Sequence, residues 1–316
     1  MTDTAHVSGR YRQLLAAARA LPPTLTAVVY PCDATALEGA LESAELGFIT
    51  PILIGPRREI ERAAAAAGLS LAGLAFEEAP DSEAAAQAAV ALVRAGRAEA
   101  IMKGSLHSDD LLRPVVAHDG LRTARRISHC YIMDVPGHAD PLIISDAAVN
   151  ILPTLAEKVD IVQNAIDLGH ALQFQEVRVA ILSAMETVNP AVPSTLEAAA
   201  LCKMADRGQI TGALVDGPLA LDNAIDLNDA GIKHIKSPVA GRANVLIVPD
   251  LEAGNMLAKS LTFLAGALAA GIVLGARVPI ILTSRADSPT ARIASCAVAA
   301  LVAASRRATP AAALRI

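Results

Sequence analysis

A hydroxyl, a guanidinium and a carboxylate lie close together late in this 316-residue sequence, at Ser284, Arg285 and Asp287. The arginine fork suits an oxyanion such as phosphate. Together these groups suit direct transfer between two bound substrates, in which positioning and charge stabilisation supply the catalysis.

The surrounding pattern places this segment between a strand and a helix. Residues 278–282 are almost continuously apolar, which is typical of a strand buried on both faces. Ser288 predicts a helix N-cap, with Pro289 at the first helical position. Ligands of open α/β sheets bind at the carboxyl ends of strands, and a helix start favours anions. The segment therefore predicts an anion-binding site.

Three more apolar runs in the second half of the chain predict strands that end at polar residues. One of them, residues 211–215, is expected to end at Asp216. Because helical segments separate the runs, we expect a parallel sheet whose carboxyl ends lie along one edge. The polar residues expected to converge there are Ser183, Asp216, Asp250 and Ser284.

Composition narrows the class of protein. The chain is 53% apolar, which is enough for a large core in two lobes. An aromatic content of only 2% and a net charge of -5 argue against nucleic-acid binding. The amino terminus is polar, and the longest uncharged run, residues 260–276, is short for a membrane span, so we expect no membrane partner. Four scattered cysteines predict reduced thiols in a cytoplasmic protein and no zinc site.

Several well-known motifs do not occur. The sequence has no Gly-x-Gly-x-x-Gly, no P-loop and no Gly-x-Ser-x-Gly, so dinucleotide-binding, P-loop and serine-hydrolase interpretations lose their main support. It has no His-x-x-x-His or Cys/His cluster either. We therefore expect a site without a metal.

Five segments, taken together in their order along the chain, resemble motifs of the phosphate acetyltransferase/phosphate butyryltransferase family. Lys103-Gly104 fits the same family, and the resemblance covers about residues 100–305. The sequence of the last segment, Ser-Arg-Ala-Asp-Ser, is more similar to the butyryl-type branch of the family. The five segments are residues 145–150, 183–190, 216–224, 248–255 and 284–288.

The resemblance implies a transferase that interconverts acyl-CoA plus phosphate with acyl phosphate plus CoA. It implies no cofactor beyond coenzyme A as a substrate, and a cytoplasmic homodimer. The implied fold has two α/β domains with mainly parallel sheets and an interdomain cleft, as in isocitrate and isopropylmalate dehydrogenases. We expect the first domain at residues 1–140 plus 276–316 and the second at 141–275.

The resemblance also implies roles for the residues that match the family's motifs. Ser284 would steady the thioester carbonyl and Arg285 would bind phosphate. Acetyl-specific members carry an aspartate seven residues beyond the serine, where this chain has Ala291. Asp287 is the nearest alternative base, and Asp216 is expected to orient substrate.

A further set of polar and glycine residues is expected to bind substrate. The asparagines could instead cap helices, and the arginines, expected to hold the phosphates of coenzyme A, could instead form a solvated face. The set is Lys103, Gly217, Asn223, Asp250, Asn255, Ser288, Arg125 and Arg126.

Two other functions and the acyl chain length stay open at this point. A metal- and nicotinamide-dependent decarboxylating dehydrogenase would need carboxylates such as Asp222, Asp226 and Asp229 to bind the metal. A non-catalytic sensor of acyl-CoA or acyl phosphate would keep the site without turnover.

Overall fold

A computed structural model describes residues 8–283 and 287–308 of the chain. The chain divides into two compact units. Unit 1 consists of Met1–Ile127 and Ala270–Ile316, and unit 2 consists of Ser128–Ala269. Both are built from strands that alternate with helices.

The first part of unit 1 alternates strands with crossover helices. Aspartates start two of these helices, because Asp33 accepts a hydrogen bond from the amide of Ala36 at 2.7 Å and Asp81 from that of Ala84 at 2.8 Å. The elements are α1 (Gly9–Arg19), β1 (Thr24–Val29), α2 (Ala34–Glu45), β2 (Ile49–Gly55), α3 (Arg57–Ala67), β3 (Ala75–Glu78), α4 (Ser82–Arg94), β4 (Ala100–Lys103) and α5 (Ser108–Val116).

Unit 2 begins with an antiparallel pair of strands and continues with a second alternating run. A capping box between Thr154 and Glu157 starts its longest helix. The elements are β5 (Ser128–Asp134), β6 (Leu142–Ser145), α6 (Leu155–Ala171), β7 (Arg178–Leu182), α7 (Pro193–Asp206), β8 (Leu214–Leu219), α8 (Leu221–Ile225), α9 (Leu227–Ile232), β9 (Val245–Ile247) and α10 (Leu251–Leu264).

The chain then returns to unit 1 through β10 (Leu268–Leu274), β11 (Ile280–Ile281) and α11 (Pro289–Ala308). The strand order in unit 1 is β3-β2-β1-β4-β11-β10. Strand β1 runs parallel to β2 and β4, and β4 also runs parallel to β11. Strand β4 is buried along its whole length, which explains why it is mostly apolar.

The strand order in unit 2 is β5-β6-β9-β7-β8. Strands β6, β9, β7 and β8 are parallel, and β5 is antiparallel to β6. Apolar side chains from these strands and from the helices form one buried core, in which Ile144, Ala180 and Leu246 are completely buried.

Most neighbouring strands are parallel, as expected, but each sheet is mixed because it includes one antiparallel pair. Strand β10 pairs antiparallel with β11, just as β5 does with β6. The reason is the length of the connections, residues 275–279 and 135–141, which are too short for the crossover that parallel neighbours require. None of the described helices is long and apolar enough to cross a membrane.

Candidate active site

Three parallel strands of unit 1 end at the same level. Val29 at the end of β1 is in register with Lys103 at the end of β4, and Ile281 of β11 is in register with Met102. The residues that follow these strands therefore meet at one edge of the sheet. This edge is the position at which α/β sheets bind ligands.

Backbone contacts fix the loop that follows β4. The amide of Gly104 donates to the carbonyl of Val29 at 2.9 Å, and the amide of Ser105 donates to that of Tyr30 at 2.8 Å. A Cβ atom at position 104 would lie 2.4 Å from the carbonyl oxygen of Val29. Only glycine fits at this crossing, so the position of Lys103 and its loop relative to β1 is firmly set.

A pocket opens at this edge. Lys103 is buried beside it, and the ammonium donates to the carbonyls of Leu106 at 3.2 Å and Gly104 at 3.4 Å. The start of α2 closes one side, and a buried arginine of α11 closes another. Residues that line the pocket include Asp33, Thr35, Lys103, Gly104, Thr283 and Arg292.

The predicted catalytic pair, Ser284 and Arg285, lies outside the described residues. Thr283, directly before them, is buried and lines the pocket. Asp287, after them, accepts a hydrogen bond on its carbonyl oxygen from Nη2 of Arg292 at 2.6 Å. The chain segments on both sides of the pair thus contact the same corner of unit 1.

Ser288 has the helix-capping position that the sequence predicts. Its hydroxyl oxygen accepts a hydrogen bond from the amide of Ala291 at 3.2 Å, and α11 begins at Pro289. Ala291, which stands where acetyl-specific members are expected to carry an aspartate, is buried. A direct contact of Ser288 with substrate stays a prediction.

A second polar cluster lies in unit 2, where Asp146 directly follows β6. This carboxylate is only 3% exposed and accepts five hydrogen bonds. Its Oδ1 accepts hydrogen bonds from the amides of Ala148 and Val149 at 2.9 Å each. Oδ2 accepts the amides of His129 and Asn150 at 3.2 Å and the Asn150 side chain at 2.5 Å. Sequence reasoning did not single out Asp146, although it lies in the segment 145–150.

His129 lies against this carboxylate and is almost completely buried. Burial lowers the pKa of its imidazole to about 4, and the charge of Asp146 offsets only part of that shift. Its Nδ1 has no hydrogen-bond partner among the described residues. The imidazole is therefore neutral near pH 7.

Asp250 and Asn255 lie next to this cluster, because β9 is the neighbour of β6. Asp250 caps α10 by accepting the amide of Ala253 at 2.8 Å. The side-chain amide of Asn255 donates to the carbonyl of Ala147 at 3.2 Å. Both residues thus have structural roles at a strand-end edge, and their contacts with substrate stay predictions.

Asp216 does not end its strand, so the expected strand at residues 211–215 is wrong. It lies inside β8, opposite Ala180, and its Oδ1 accepts the amide of Gly217 at 2.9 Å. Strand β8 continues through Pro218 because it lies at the edge of the sheet, where proline is tolerated. Asp216 is therefore three residues short of the edge where Ser183 follows β7.

Gly217 contributes a close approach. A Cβ atom at this position would lie 2.7 Å from the carbonyl oxygen of Ile181 on the neighbouring strand. The glycine thus keeps β7 and β8 together at this point. Binding of substrate by Gly217, and orientation of substrate by Asp216, stay predictions.

Asn223 is completely buried and donates to Oε2 of Glu186 at 3.2 Å. Lys233 contacts the same carboxylate at 3.3 Å and that of Asp222 at 3.2 Å. The pKa of Glu186 is lowered, first by its own backbone hydrogen bond and further by Lys233. Asp226 accepts two amides that start α9. Asp222 and Asp226, two of the three carboxylates that a dehydrogenase would need for a metal, thus have other partners.

Arg125 and Arg126 lie near the end of the first segment of unit 1. Arg125 is half-buried and Arg126 is exposed. Their contact with the phosphates of coenzyme A stays a prediction.

Comparison with known proteins gives one consistent result. The family model described as "Phosphate acetyl/butaryl transferase" matches residues 78–300. The phosphate acetyltransferase of Rhizobium meliloti is 62% identical, over 96% of this chain and 97% of the relative. The phosphate butyryltransferase of Clostridium beijerinckii is 38% identical, over 94% and 99% of the two chains.

Among solved structures, a branched-chain phosphotransacylase from Enterococcus faecalis superposes with a TM-score of 0.78 and 27% identity, over 89% of this chain and 99% of the other. The α/β class is correct, but the expected likeness to isocitrate and isopropylmalate dehydrogenases is wrong: the fold is that of phosphotransacylases. The expected butyryl-type branch is not confirmed. The chain belongs to the phosphate acetyl/butyryl transferase family.

Proposed function

We propose that this acyltransferase interconverts acetyl-CoA and phosphate with acetyl phosphate and coenzyme A. The observation that supports the acetyl group is the identity of 62% to a phosphate acetyltransferase, against 38% to a phosphate butyryltransferase. Both identities are measured over nearly the whole chain, whereas the butyryl-like sequence is confined to residues 284–288. The dehydrogenase alternative has no support from the relatives, and turnover would exclude a sensor.

The proposed chemistry moves one acyl group and one proton. A phosphate oxygen held by Arg285 attacks the thioester carbon, and Ser284 donates to the oxygen that gains charge. The carbon–sulfur bond then breaks, and the sulfur leaves as the thiolate of coenzyme A. Asp287 relays the proton from phosphate to this sulfur, and in the reverse direction it accepts the thiol proton. The reaction needs no metal and no further cofactor.

The acyl preference has a direct test. Turnover of acetyl-, propionyl- and butyryl-CoA with phosphate, measured as free thiol released, should give the highest kcat/KM for acetyl-CoA. One methylene group in a close-fitting pocket changes kcat/KM by about 10-fold or more, so the order should be clear. The highest kcat/KM with butyryl-CoA would contradict the acetyl assignment.

The proposed compartment is the cytoplasm, with no nucleic-acid or membrane partner. All four cysteines are free thiols. Burial raises the pKa of Cys130 and Cys202 to about 12, so these thiols stay protonated and unreactive. Free thiols are typical of reducing compartments.

We also propose a homodimer formed through α10. Met256 and Phe263 are 63% and 77% exposed and lie on one face of this helix, and Leu264 beside them is 86% exposed. Monomers rarely leave such a patch in water. The two bulky residues flank Ser260 nearly symmetrically, so an antiparallel copy would place Met256 of one chain against Phe263 of the other.

Phe263→Glu should therefore convert a dimer to a monomer, because it places a charge in each half of the apolar contact. Light scattering after size exclusion measures the mass. Val116→Glu, at an exposed apolar residue of α5, is the matched control and should leave the dimer intact. A monomeric wild-type protein, or a dimeric Phe263→Glu protein, would overturn this proposal.

A further inference from the structure

The pocket of unit 1 is lined by an arginine that no family motif singles out. Arg292 lies in α11 and lines the pocket together with Lys103 and residues at the start of α2. The two side chains are 7% and 8% exposed. We propose that Arg292 and Lys103 form a binding site for a phosphoryl group.

The path of the arginine side chain supports this assignment. Its stem crosses α2 at Gly39, where an added Cβ atom would lie 3.0 Å from Cδ of Arg292. Cε of Met102, which lines the same pocket, would lie 3.5 Å from the same added Cβ atom. The lack of a side chain at Gly39 thus provides the passage through which the guanidinium reaches the strand ends.

The guanidinium of Arg292 has no carboxylate partner in the part of the chain that the structure describes. Nη2 donates to the carbonyl of Asp287, and no carboxylate of the described residues lies within ion-pair distance of it. Burial of a cation without an opposite charge costs free energy, and a bound anion would offset that cost. A guanidinium fork also matches the spacing of two phosphoryl oxygens.

The rest of the pocket has the matching charge. Lys103 adds a second buried cation, and the amino terminus of the 12-residue helix α2 adds a partial positive charge through Thr35 and Ala36. Asp33 is the carboxylate of the pocket, and one of its oxygens is already bonded to the amide of Ala36. The pocket as a whole therefore favours an anion.

Two substrates of the proposed reaction carry phosphoryl groups: phosphate, or acyl phosphate, and coenzyme A. The inference rests on the proposed function for these candidate ligands. Thr283 lines the pocket and directly precedes Ser284 in the chain, which favours the phosphate that takes part in the reaction. The same contacts would suit a phosphate of the coenzyme.

Phosphate binding by the purified full chain tests the site without turnover. The thermal unfolding midpoint is measured against phosphate concentration at constant ionic strength, since a ligand of the native state raises it. Arg292→Gln should weaken phosphate binding by about 10- to 100-fold, the effect of losing hydrogen bonds to a charged group. Arg307→Gln, on the same helix but paired with Glu99 outside the pocket, should bind phosphate like the wild type.

Unchanged phosphate affinity in Arg292→Gln would overturn the inference. If that variant does not fold, Arg292→Lys decides, because it keeps the charge and the stem but loses the fork. Phosphate affinity should then fall several-fold, and wild-type affinity would again overturn the site.

Steady-state kinetics identify the source of the phosphoryl group. If Arg292→Lys raises KM only for phosphate and acetyl phosphate, the site binds the reacting phosphate. If it raises KM only for acetyl-CoA and coenzyme A, the site binds a phosphate of the coenzyme. Equal changes in all four values would contradict a specific site. Wild-type protein that binds phosphate through Arg292 but has no turnover would contradict the proposed function and leave this site standing.

Discussion

Ser284→Ala should lower turnover by about 10²-fold and change the Michaelis constants much less. The hydroxyl is proposed to donate to the thioester oxygen, which gains its charge only as the transition state forms. An interaction made mainly in the transition state affects kcat rather than substrate binding. Stopped-time assays of thiol release in both directions give the two constants separately.

Arg285→Lys supplies the companion measurement. An ammonium keeps the charge but cannot bind two phosphate oxygens in the fork geometry, so KM for phosphate should rise and kcat should fall together. Ser70→Ala, at an exposed serine of unit 1, is the matched control and should retain wild-type kinetics. A folded Ser284→Ala, Arg285→Lys double variant with near wild-type turnover would show that the chemistry occurs elsewhere.

Asp146→Ala should lower the free energy of unfolding by at least about 3 kcal/mol. The carboxylate satisfies four backbone amides and one side-chain amide inside unit 2, and its removal leaves buried donors without an acceptor. Urea unfolding followed by circular dichroism measures the loss. Asp146→Asn should lose less, because one carbonyl oxygen remains to accept some of these bonds.

Asp250→Ala is the comparison variant for Asp146→Ala, with a smaller expected loss of stability. Asp250 also follows a strand of unit 2, but it accepts a single amide, that of Ala253. Its replacement should cost about 1 kcal/mol, the usual effect of losing an N-cap. Equal losses in the two alanine variants would contradict the view that the five-donor arrangement around Asp146 holds this strand end together.

The features that the sequence predicts well are set by neighbouring residues. Ser288 followed by Pro289 marks the start of α11, and its cap is formed as expected. The predicted strand end before Asp216 is wrong because of contacts with residues that are distant in sequence. Gly217-Pro218 normally ends a strand, but the edge position of β8 and the close approach to Ile181 keep both residues within the strand, at a shift in register. Those causes depend on another strand, which no local pattern reveals.

Connection lengths could have predicted the mixed sheets. Residues 135–141 and 275–279 leave room for a turn and none for a crossover helix. Asp146 also left a local signal, because an aspartate side chain commonly accepts the amide two residues later in the chain. Arg292 left no comparable signal, since its pocket depends on Gly39 and Lys103, which are distant in sequence.

Formation of acetyl phosphate from acetyl-CoA and phosphate by the purified wild-type protein tests the central claim most directly. Phosphorus NMR follows the acyl phosphate while a thiol reagent follows free coenzyme A in the same sample. The two products should appear in equal amounts, with no added metal or nicotinamide. Release of thiol without acetyl phosphate, or no reaction with any acyl-CoA tested, would contradict a phosphate acyltransferase.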